Sequence, residues 1–151
     1  MRAAGAADRP FLEALYAEKR AAEVRAWGLS DAQAAGLLAM QYAAFRHSLA
    51  ARPRAREWVL TEAGDERGYL AVDELDAELR IVELQVASAY RRRGIARRAL
   101  EAVLAEADRR QLAVSLHVDH GNPALKLYEL LGFVAQGTDL VGSTLRRQPR
   151  P

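Results

Sequence analysis

A basic turn rich in small residues is the segment best suited to bind a ligand: Arg91-Arg92-Arg93-Gly94-Ile95-Ala96. It lies between an apolar strand pattern and a helical pattern. The first turn of a helix has N–H groups without partners and carries the positive end of the helix dipole, so it favours a bound phosphate. Gly94 has no Cβ and Ala96 only a methyl group, so an anion can approach the backbone closely. A charge run alone is usually a solvated loop, but the position of this one favours a phosphate-binding loop.

Tyr128 is the candidate proton donor. A phenol has an ordinary pKa of about 10, so it is protonated at neutral pH and can donate a proton. Helical spacing alone favours a packing role for Tyr128. Asn122 stands before Pro123, which is common at a turn or a helix start. The residue pattern alone leaves both interpretations of each side chain open.

Three titratable residues near the end of a later strand could be taken for a metal site. They are His117, Asp119 and His120. The group has no clear fourth ligand, and a histidine at a strand end is often only hydrogen-bonded. We therefore expect no metal.

Helical and strand patterns follow one another in an order that predicts a mixed sheet. Asp8 and Pro10 suit the start of a first helix, and the capping box Ser30-Asp31-Ala32-Gln33 begins a second. The patterns predict strands at 57–61, 69–72 and 79–86, a helix at 94–110, a strand at 112–118, a helix at 122–131, a strand from 133, and an edge strand at 140–145. A first strand before these helices would be limited to Arg2-Ala3. This is an α/β (α+β mixed) arrangement with helices packed on the sheet.

Length and composition limit the number of domains and the kinds of site the chain can form. The chain has 151 residues, half of them apolar, a net charge of +2 and no cysteine. This predicts a single domain over 1–151 with 146–151 as a frayed tail, and excludes disulfides and a cysteine nucleophile. No signal-peptide pattern or membrane-spanning run is present, which favours a cytoplasmic protein without a membrane partner.

Two segments together resemble the GNAT superfamily of N-acetyltransferases, which use acetyl-CoA. Arg91-x-x-Gly94-x-Ala96 is similar to its Gln/Arg-x-x-Gly-x-Gly/Ala pyrophosphate loop, and the segment Asn122–Phe133 is similar to its Asn-x-x-Ala-x-x-Leu-Tyr-x-x-x-Gly-Phe pattern. Together the two motifs are far more specific than either alone, and the resemblance covers residues 79–137. Ser88 stands where the family often has proline, and Arg92 where glycine is frequent.

The resemblance implies the GNAT acyl-CoA N-acyltransferase fold, a mostly antiparallel sheet with a splayed parallel central strand pair and flanking helices. Acetyl-CoA would lie between the strands ending near Val86 and Val118. Its pantetheine arm would pair with the backbone of Leu84 and Val86, its pyrophosphate would lie on the N–H groups of 92–96, and Asn122 would reach the pantetheine or the route to the base. The N–H of Val86 would point at the thioester oxygen, and such a donor is worth roughly 3–4 kcal/mol of barrier.

The same resemblance implies the acid and base. Tyr128 matches the family's tyrosine acid by position, which would protonate the leaving thiolate. Glu83 is the first candidate for the general base, because it lies on the strand next to the thioester, on the face shared with Gln85. If that face is solvated or covered by a helix, Glu83 is only a surface charge. A water relay to a backbone carbonyl is an equal alternative, and His117, Asp119 and His120 are the next candidates.

The function predicted from the sequence is acetyl transfer from acetyl-CoA to a primary amine, on a small molecule or a protein, that enters beside the two N-terminal helices. Two other functions remain open: a CoA-binding module without chemistry, and a basic nucleic-acid-binding domain. The last would need aromatic residues between its arginines, and only Tyr90 qualifies, so no nucleic-acid partner is expected. Many relatives in the family are dimers, so a homodimer is the expected alternative to a monomer.

Overall fold

A single seven-stranded sheet carries two helices on each face. The computed structural model describes all 151 residues. The strands are β1 (Arg2–Ala3), β2 (Ala55–Glu62), β3 (Asp65–Glu74), β4 (Glu78–Val86), β5 (Ala113–Asp119), β6 (Val134–Thr138) and β7 (Gly142–Arg147). The helices are α1 (Arg9–Ala26), α2 (Asp31–Ala50), α3 (Ile95–Arg110) and α4 (Leu125–Leu130), and single 3₁₀ turns precede α1 and α3. The spatial strand order is β1-β2-β3-β4-β5-β7-β6, which confirms the predicted mixed sheet.

Two separate apolar cores hold the helices to opposite faces of the sheet. Alternate side chains along a strand point to opposite faces, so neighbouring residues feed different cores. In β2, Val59 packs with α1 and α2, whereas Leu60 packs with α3 and α4. In β3, Tyr69 packs with α1 and α2, and Leu70 packs with α3 and α4. The strands between the two pairs of helices are therefore fixed in register by burial on both sides.

The capping box sets the start of α2 as predicted, whereas the side chain of Asp8 makes no capping hydrogen bond to α1 and accepts instead from the N–H of Gly5. The N–H of Gln33 donates to the Ser30 hydroxyl over 3.2 Å, and the Gln33 side chain accepts from the N–H of Ser30 over 3.0 Å, so the capping box at the start of α2 forms. The β2–β3 turn needs only Ala63 and Gly64, both at positive φ (52° and 85°), as a tight hairpin requires. The segment 63–68, which its polar composition predicts as a loop, therefore contains the first residues of β3, which begins at Asp65.

Only β4 and β5 run parallel, and they separate part-way along. Their pairing runs from Glu78 opposite Ala113 to Ile81 opposite Leu116 and stops there. Both strands continue, β4 on β3 as far as Val86 and β5 on β7 as far as Asp119. The predicted splay of the central pair is therefore present.

The end of the sheet differs from the prediction. The segment predicted as the edge, 140–145, becomes β7 and lies between β5 and β6, so β6 is the edge strand. Gly142, Leu145 and Arg147 of β7 are buried, whereas β6 is exposed throughout. Gly142 makes the insertion feasible, because a Cβ there would lie 2.0 Å from the carbonyl oxygen of Val118 on β5.

The predicted frayed tail is wrong at its start. Arg146 and Arg147 belong to β7, and Arg147 is buried with both terminal nitrogens 2.8 Å from the carboxylate of Asp108 on α3. The N–H of Arg150 donates to the same carboxylate over 2.8 Å. A buried guanidinium needs such a partner, so the ion pair fastens the C-terminal segment to α3.

We expect Asp108→Asn to lower the free energy of unfolding by about 2–3 kcal/mol at neutral pH, because it leaves the Arg147 guanidinium buried without a counter-charge. The Arg147 hydrogen bonds lower the pKa of Asp108 to about 2. Since the folded-state pKa lies below the ordinary value of about 4, this stabilisation is present above pH 4 and is lost as the pH falls toward 2. Urea denaturation at several pH values measures it.

The exposed pair of Arg97 and Glu101 on the same helix provides the matched control. Glu101→Gln should cost less than about 0.5 kcal/mol. An equally small loss for Asp108→Asn would mean that the tail contributes no more than a surface ion pair.

Candidate active site

The open edge of β4 offers free backbone groups to the gap between β4 and β5. The N–H of Ala87 donates to the carbonyl of Arg67 at the start of β3 over 2.8 Å, so alternation directs the N–H and carbonyl of Val86, and likewise of Leu84, away from β3 and into the gap. The Val86 carbonyl accepts from Nε of Arg91 over 3.2 Å. The N–H groups of Leu84 and Val86 therefore face the gap between β4 and β5.

A β-bulge starts at the point where the gap opens. Ala71 of β3 pairs with Glu83, and the next residue, Val72, pairs with Ile81, so Val82 is the extra residue in β4. The bulge turns Val82 toward the core of α1 and α2. It resets the alternation, so that Leu84 packs with the α3 and α4 core. The alternating pattern of the strand did not predict this bulge, although two consecutive apolar residues, Ile81 and Val82, are a signal for one.

The loop before α3 presents a run of unpartnered donors. The N–H groups of residues 92–97 donate no hydrogen bond within the protein, and the first helical bond of α3 runs from the N–H of Arg98 to the carbonyl of Gly94 over 3.0 Å. The first N–H groups of a helix have no partner within the helix. Six consecutive free donors at the N-terminus of a 16-residue helix form an anion-binding surface that suits a pyrophosphate.

The loop backbone is left-handed at two positions. Gly94 has a φ of 76° and precedes Ile95, the first residue of α3. Arg92 has a φ of 63°, a conformation in which an L-residue is strained by roughly 1 kcal/mol. This explains why glycine is frequent at the position of Arg92 in the family that the sequence resembles.

The arginine side chains of the loop divide into paired and free groups. Arg93 and Arg98 lie 3.4 and 3.5 Å from the Glu62 carboxylate. Arg93 and Arg67 also stack on the ring of Tyr90, 5.3 and 3.9 Å from its centroid. Arg91 and Arg92 have no carboxylate partner, so their charges remain available to an anionic ligand.

Tyr128 is buried on α4 among the side chains of the α3 and α4 core, with its ring edge-on to Phe133 at 5.8 Å. Burial, and to a smaller extent the negative charge of Glu83, raises the pKa of Tyr128 to about 12. The hydroxyl is therefore protonated at neutral pH and can act as a proton donor. Tyr128 and Glu83 extend from opposite faces of the sheet.

Glu83 shares a face with Gln85, as strand alternation predicts, and α1 covers that face. Its carboxylate is 2.8 Å from Nζ of Lys19 and its side chain is 14% exposed. The neighbouring Gln85 donates to the carbonyl of Leu15 over 2.5 Å, and Glu18 accepts from the N–H of Ser88 over 2.8 Å. The middle of α1 thus contacts the end of β4 through Leu15, Glu18 and Lys19, and these contacts have no periodic signal in the sequence.

The remaining predicted residues have local partners. Asn122 Oδ1 accepts from the N–H of Ala124 over 2.9 Å, so the side chain supports the turn before α4, which begins at Leu125, later than predicted. His117 lies 3.5 Å from the carboxylate of Asp139 and 3.8 Å from that of Asp119. No group of three or more metal-ligating side chains is close enough to hold a metal ion, and no helix has the length and apolarity to cross a membrane.

Comparisons with known proteins agree with this geometry. The sequence profile of the acetyltransferase (GNAT) domain matches residues 23–149. No curated protein sequence matches the chain significantly. Among solved structures, PaiA N-acetyltransferase of Thermoplasma acidophilum with coenzyme A is 15% identical, with a TM-score of 0.74 over 97% of this chain and 96% of that one.

Two further structures have the same fold. The Corynebacterium glutamicum protein described as histone acetyltransferase HPA2 and related acetyltransferase is 19% identical, with a TM-score of 0.74 over 99% of this chain and 95% of that one. The ribosomal-protein-S18-alanine N-acetyltransferase of Escherichia coli is 22% identical, with a TM-score of 0.56 over 66% and 72%. With the profile match over most of its length, the chain belongs to the GNAT family of acetyltransferases.

Proposed function

We propose that the protein transfers an acetyl group from acetyl-CoA to a primary amine. The observation that carries the proposal is the coincidence of a splayed parallel strand pair with six free N–H donors at the start of α3. The donors suit the pyrophosphate of a CoA thioester, and the open edge of β4 suits its extended arm. The solved neighbours with coenzyme A or acetyl-CoA support this choice of acyl donor.

The residues around the gap fit the proton transfers that the reaction needs. The thioester supplies the acetyl group, and the amine must lose a proton while the leaving thiolate gains one. Tyr128 holds a proton at neutral pH because burial raises its pKa to about 12. We assign it as the general acid, and we assign Val86 N–H as the donor to the carbonyl oxygen that develops negative charge.

Glu83 is the proposed general base. Its carboxylate lies next to the thioester end of β4, and Lys19 is its salt-bridge partner on the helix-covered face. His117 is the competing base. It follows Leu116, the last residue of β5 that pairs with β4, and its side chain is more exposed than that of Glu83. The cytoplasmic location and the homodimer stay predictions.

Steady-state kinetics of two amide substitutions would distinguish the bases. We expect Glu83→Gln to lower kcat about 100-fold with little change in acetyl-CoA affinity, because a general base typically contributes a factor of 10²–10⁴. His117→Gln should retain kcat within about threefold. The reverse pattern would transfer the role to His117, and two small effects would favour a water relay.

The acceptor must be found before these variants are measured. A screen that follows release of free CoA thiol should pair acetyl-CoA with small primary amines and with peptides. One peptide should begin with alanine, because the Escherichia coli protein of the same fold is a ribosomal-protein-S18-alanine N-acetyltransferase. Release that requires both acetyl-CoA and one amine supports the proposal. Acetyl-CoA binding without turnover on any amine would favour a binding module.

A further inference from the structure

The sheet face beside α1 and α2 is left uncovered by helices over β5, β7 and β6. Of the long strands, only β2, β3 and β4 contribute to the core under α1 and α2. A cleft of about 420 Å³ lies on the uncovered part of this face. We call it the polar cleft, because all but one of its side chains are polar, among them Glu78, Arg80, Ser115, His117, Thr144 and Arg146.

Strand register arranges the side chains of the polar cleft in two rows. Arg80 of β4, Ser115 of β5 and Arg146 of β7 are direct neighbours across the sheet. His117 and Thr144 pair in the next row on the same face. The pairing of β4 with β5 ends one residue before His117. The polar cleft therefore opens, at its second row, into the gap that is proposed to hold the thioester.

Two guanidinium groups share one carboxylate in the first row. Arg80 donates to buried Glu78 over 3.0 Å, and Arg146 donates to the other oxygen of the same carboxylate. The Ser115 hydroxyl also donates to Glu78, over 2.9 Å. No other carboxylate lines the polar cleft. One positive charge is therefore left without a counter-charge in this row.

The two arginines keep donors available to a ligand. A guanidinium has five N–H donors, and each of these two groups gives one hydrogen bond to Glu78. Their side chains are 48% exposed for Arg80 and 34% exposed for Arg146. A carboxylate of a ligand in the cleft can accept from both guanidinium groups and compensate the remaining charge.

The proposed bases lie two strand steps away from this row. Glu83 is three residues after Arg80 on β4, but one of the three is the extra residue of the bulge. His117 is two residues after Ser115 on β5. Two steps along a strand cover about 7 Å. An amine that loses its proton to either base therefore lies about 7 Å from the arginine row.

The two ends of this path carry opposite charges. The arginine row has an excess positive charge, whereas His117 lies 3.8 Å from the carboxylate of Asp119 and 3.5 Å from that of Asp139. Glu83 adds a third carboxylate on the β4 side of the gap. An ammonium group is favoured at the acidic end and a carboxylate at the basic end.

We propose that the acceptor is a primary amine that also carries a carboxylate, about 7 Å from its nitrogen. The carboxylate binds to the guanidinium groups of Arg80 and Arg146, and the amine lies between Glu83 and His117 at the thioester. This inference rests on the proposed function and extends it to the class of acceptor. A simple alkylamine leaves the charge of the arginine row uncompensated.

Acetyl transfer to 6-aminohexanoate and to its neutral amide, 6-aminohexanamide, tests the inference. The two amines have the same chain and differ only in the charge of the far end. The wild-type kcat/KM should be about tenfold higher or more for the carboxylate, through a lower KM, because hydrogen bonds to charged groups are worth that much. Alanyl-glutamate and alanyl-glutamine, both as C-terminal amides, repeat the comparison with a peptide side chain. A preference for the carboxylate in either pair supports the proposal and identifies its source.

Two variants locate the preference. Arg80→Gln and Arg146→Gln should each raise the KM for the preferred carboxylate about tenfold, with kcat, the Kd for acetyl-CoA and the KM for the neutral partner nearly unchanged. Glu78 keeps one arginine partner in each variant. Arg54→Gln is the matched control, because Arg54 forms an exposed ion pair with Asp76 outside the polar cleft. It should leave both KM values unchanged.

The outcomes separate this inference from the proposed function. Equal kcat/KM for the two members of each pair, or an undiminished preference in both arginine variants, would overturn the inference and leave acetyl transfer intact. No transfer to any amine, acidic or neutral, would overturn the proposed function and this inference with it.

Discussion

Gly94→Asp should weaken acetyl-CoA binding at least 100-fold. The new carboxylate would lie among the free N–H groups of 92–97, where the pyrophosphate is proposed to bind, and would repel it. A side chain at a φ of 76° is also strained, and its Cβ would lie 3.3 Å from Nη1 of Arg98. A 100-fold change in Kd corresponds to about 2.7 kcal/mol, and calorimetric titration measures it directly.

Gly64→Asp is the matched control, because Gly64 has a similar φ of 85°, open surroundings and a place in the remote β2–β3 turn. It should bind acetyl-CoA within about twofold of the wild type, while Gly94→Ala should fall between the two, with the backbone strain but not the charge. Equal binding by Gly94→Asp and the wild type would show that the loop is a solvated basic turn. The proposed function would then lose its main support.

Tyr128→Phe should lower kcat about 100-fold or more and leave the Kd for acetyl-CoA nearly unchanged. The substitution removes only the hydroxyl, and the ring contact with Phe133 remains. General acids typically contribute a factor of 10²–10⁴ to the rate. Steady-state kinetics with the acceptor found by the screen, together with titration of acetyl-CoA, separate the chemical step from binding.

The pH profile adds a second readout for Tyr128. Burial disfavours the phenolate and raises its pKa to about 12, so the wild type should lose no activity to Tyr128 ionisation below about pH 11. Tyr16→Phe, at another buried tyrosine whose ring stacks on Phe45, should retain kcat within about twofold. Unchanged turnover in Tyr128→Phe would exclude the tyrosine as the acid and leave it a packing residue.

Local patterns accounted for most of the elements and for the loop. The capping box placed the start of α2, and apolar spacing placed α1 and α3, because helix ends and amphipathic faces depend on residues within a few positions of one another. The spacing of Arg91, Gly94 and Ala96 indicated the phosphate loop for the same reason, since the turn and the helix start are adjacent in sequence. The left-handed conformation of Arg92 was hidden, because arginine gives no signal for positive φ.

The amino-acid sequence by itself thus determined the order of helices and strands, the basic loop before α3 and the presence of a tyrosine on α4. Only the tertiary structure decided that β7 lies between β5 and β6, that Lys19 pairs with Glu83, and that the Tyr42 hydroxyl is left without a partner. Each of these depends on groups far apart in the chain. Which distant groups meet follows from the packing of both faces of the sheet at once, and no local period encodes it.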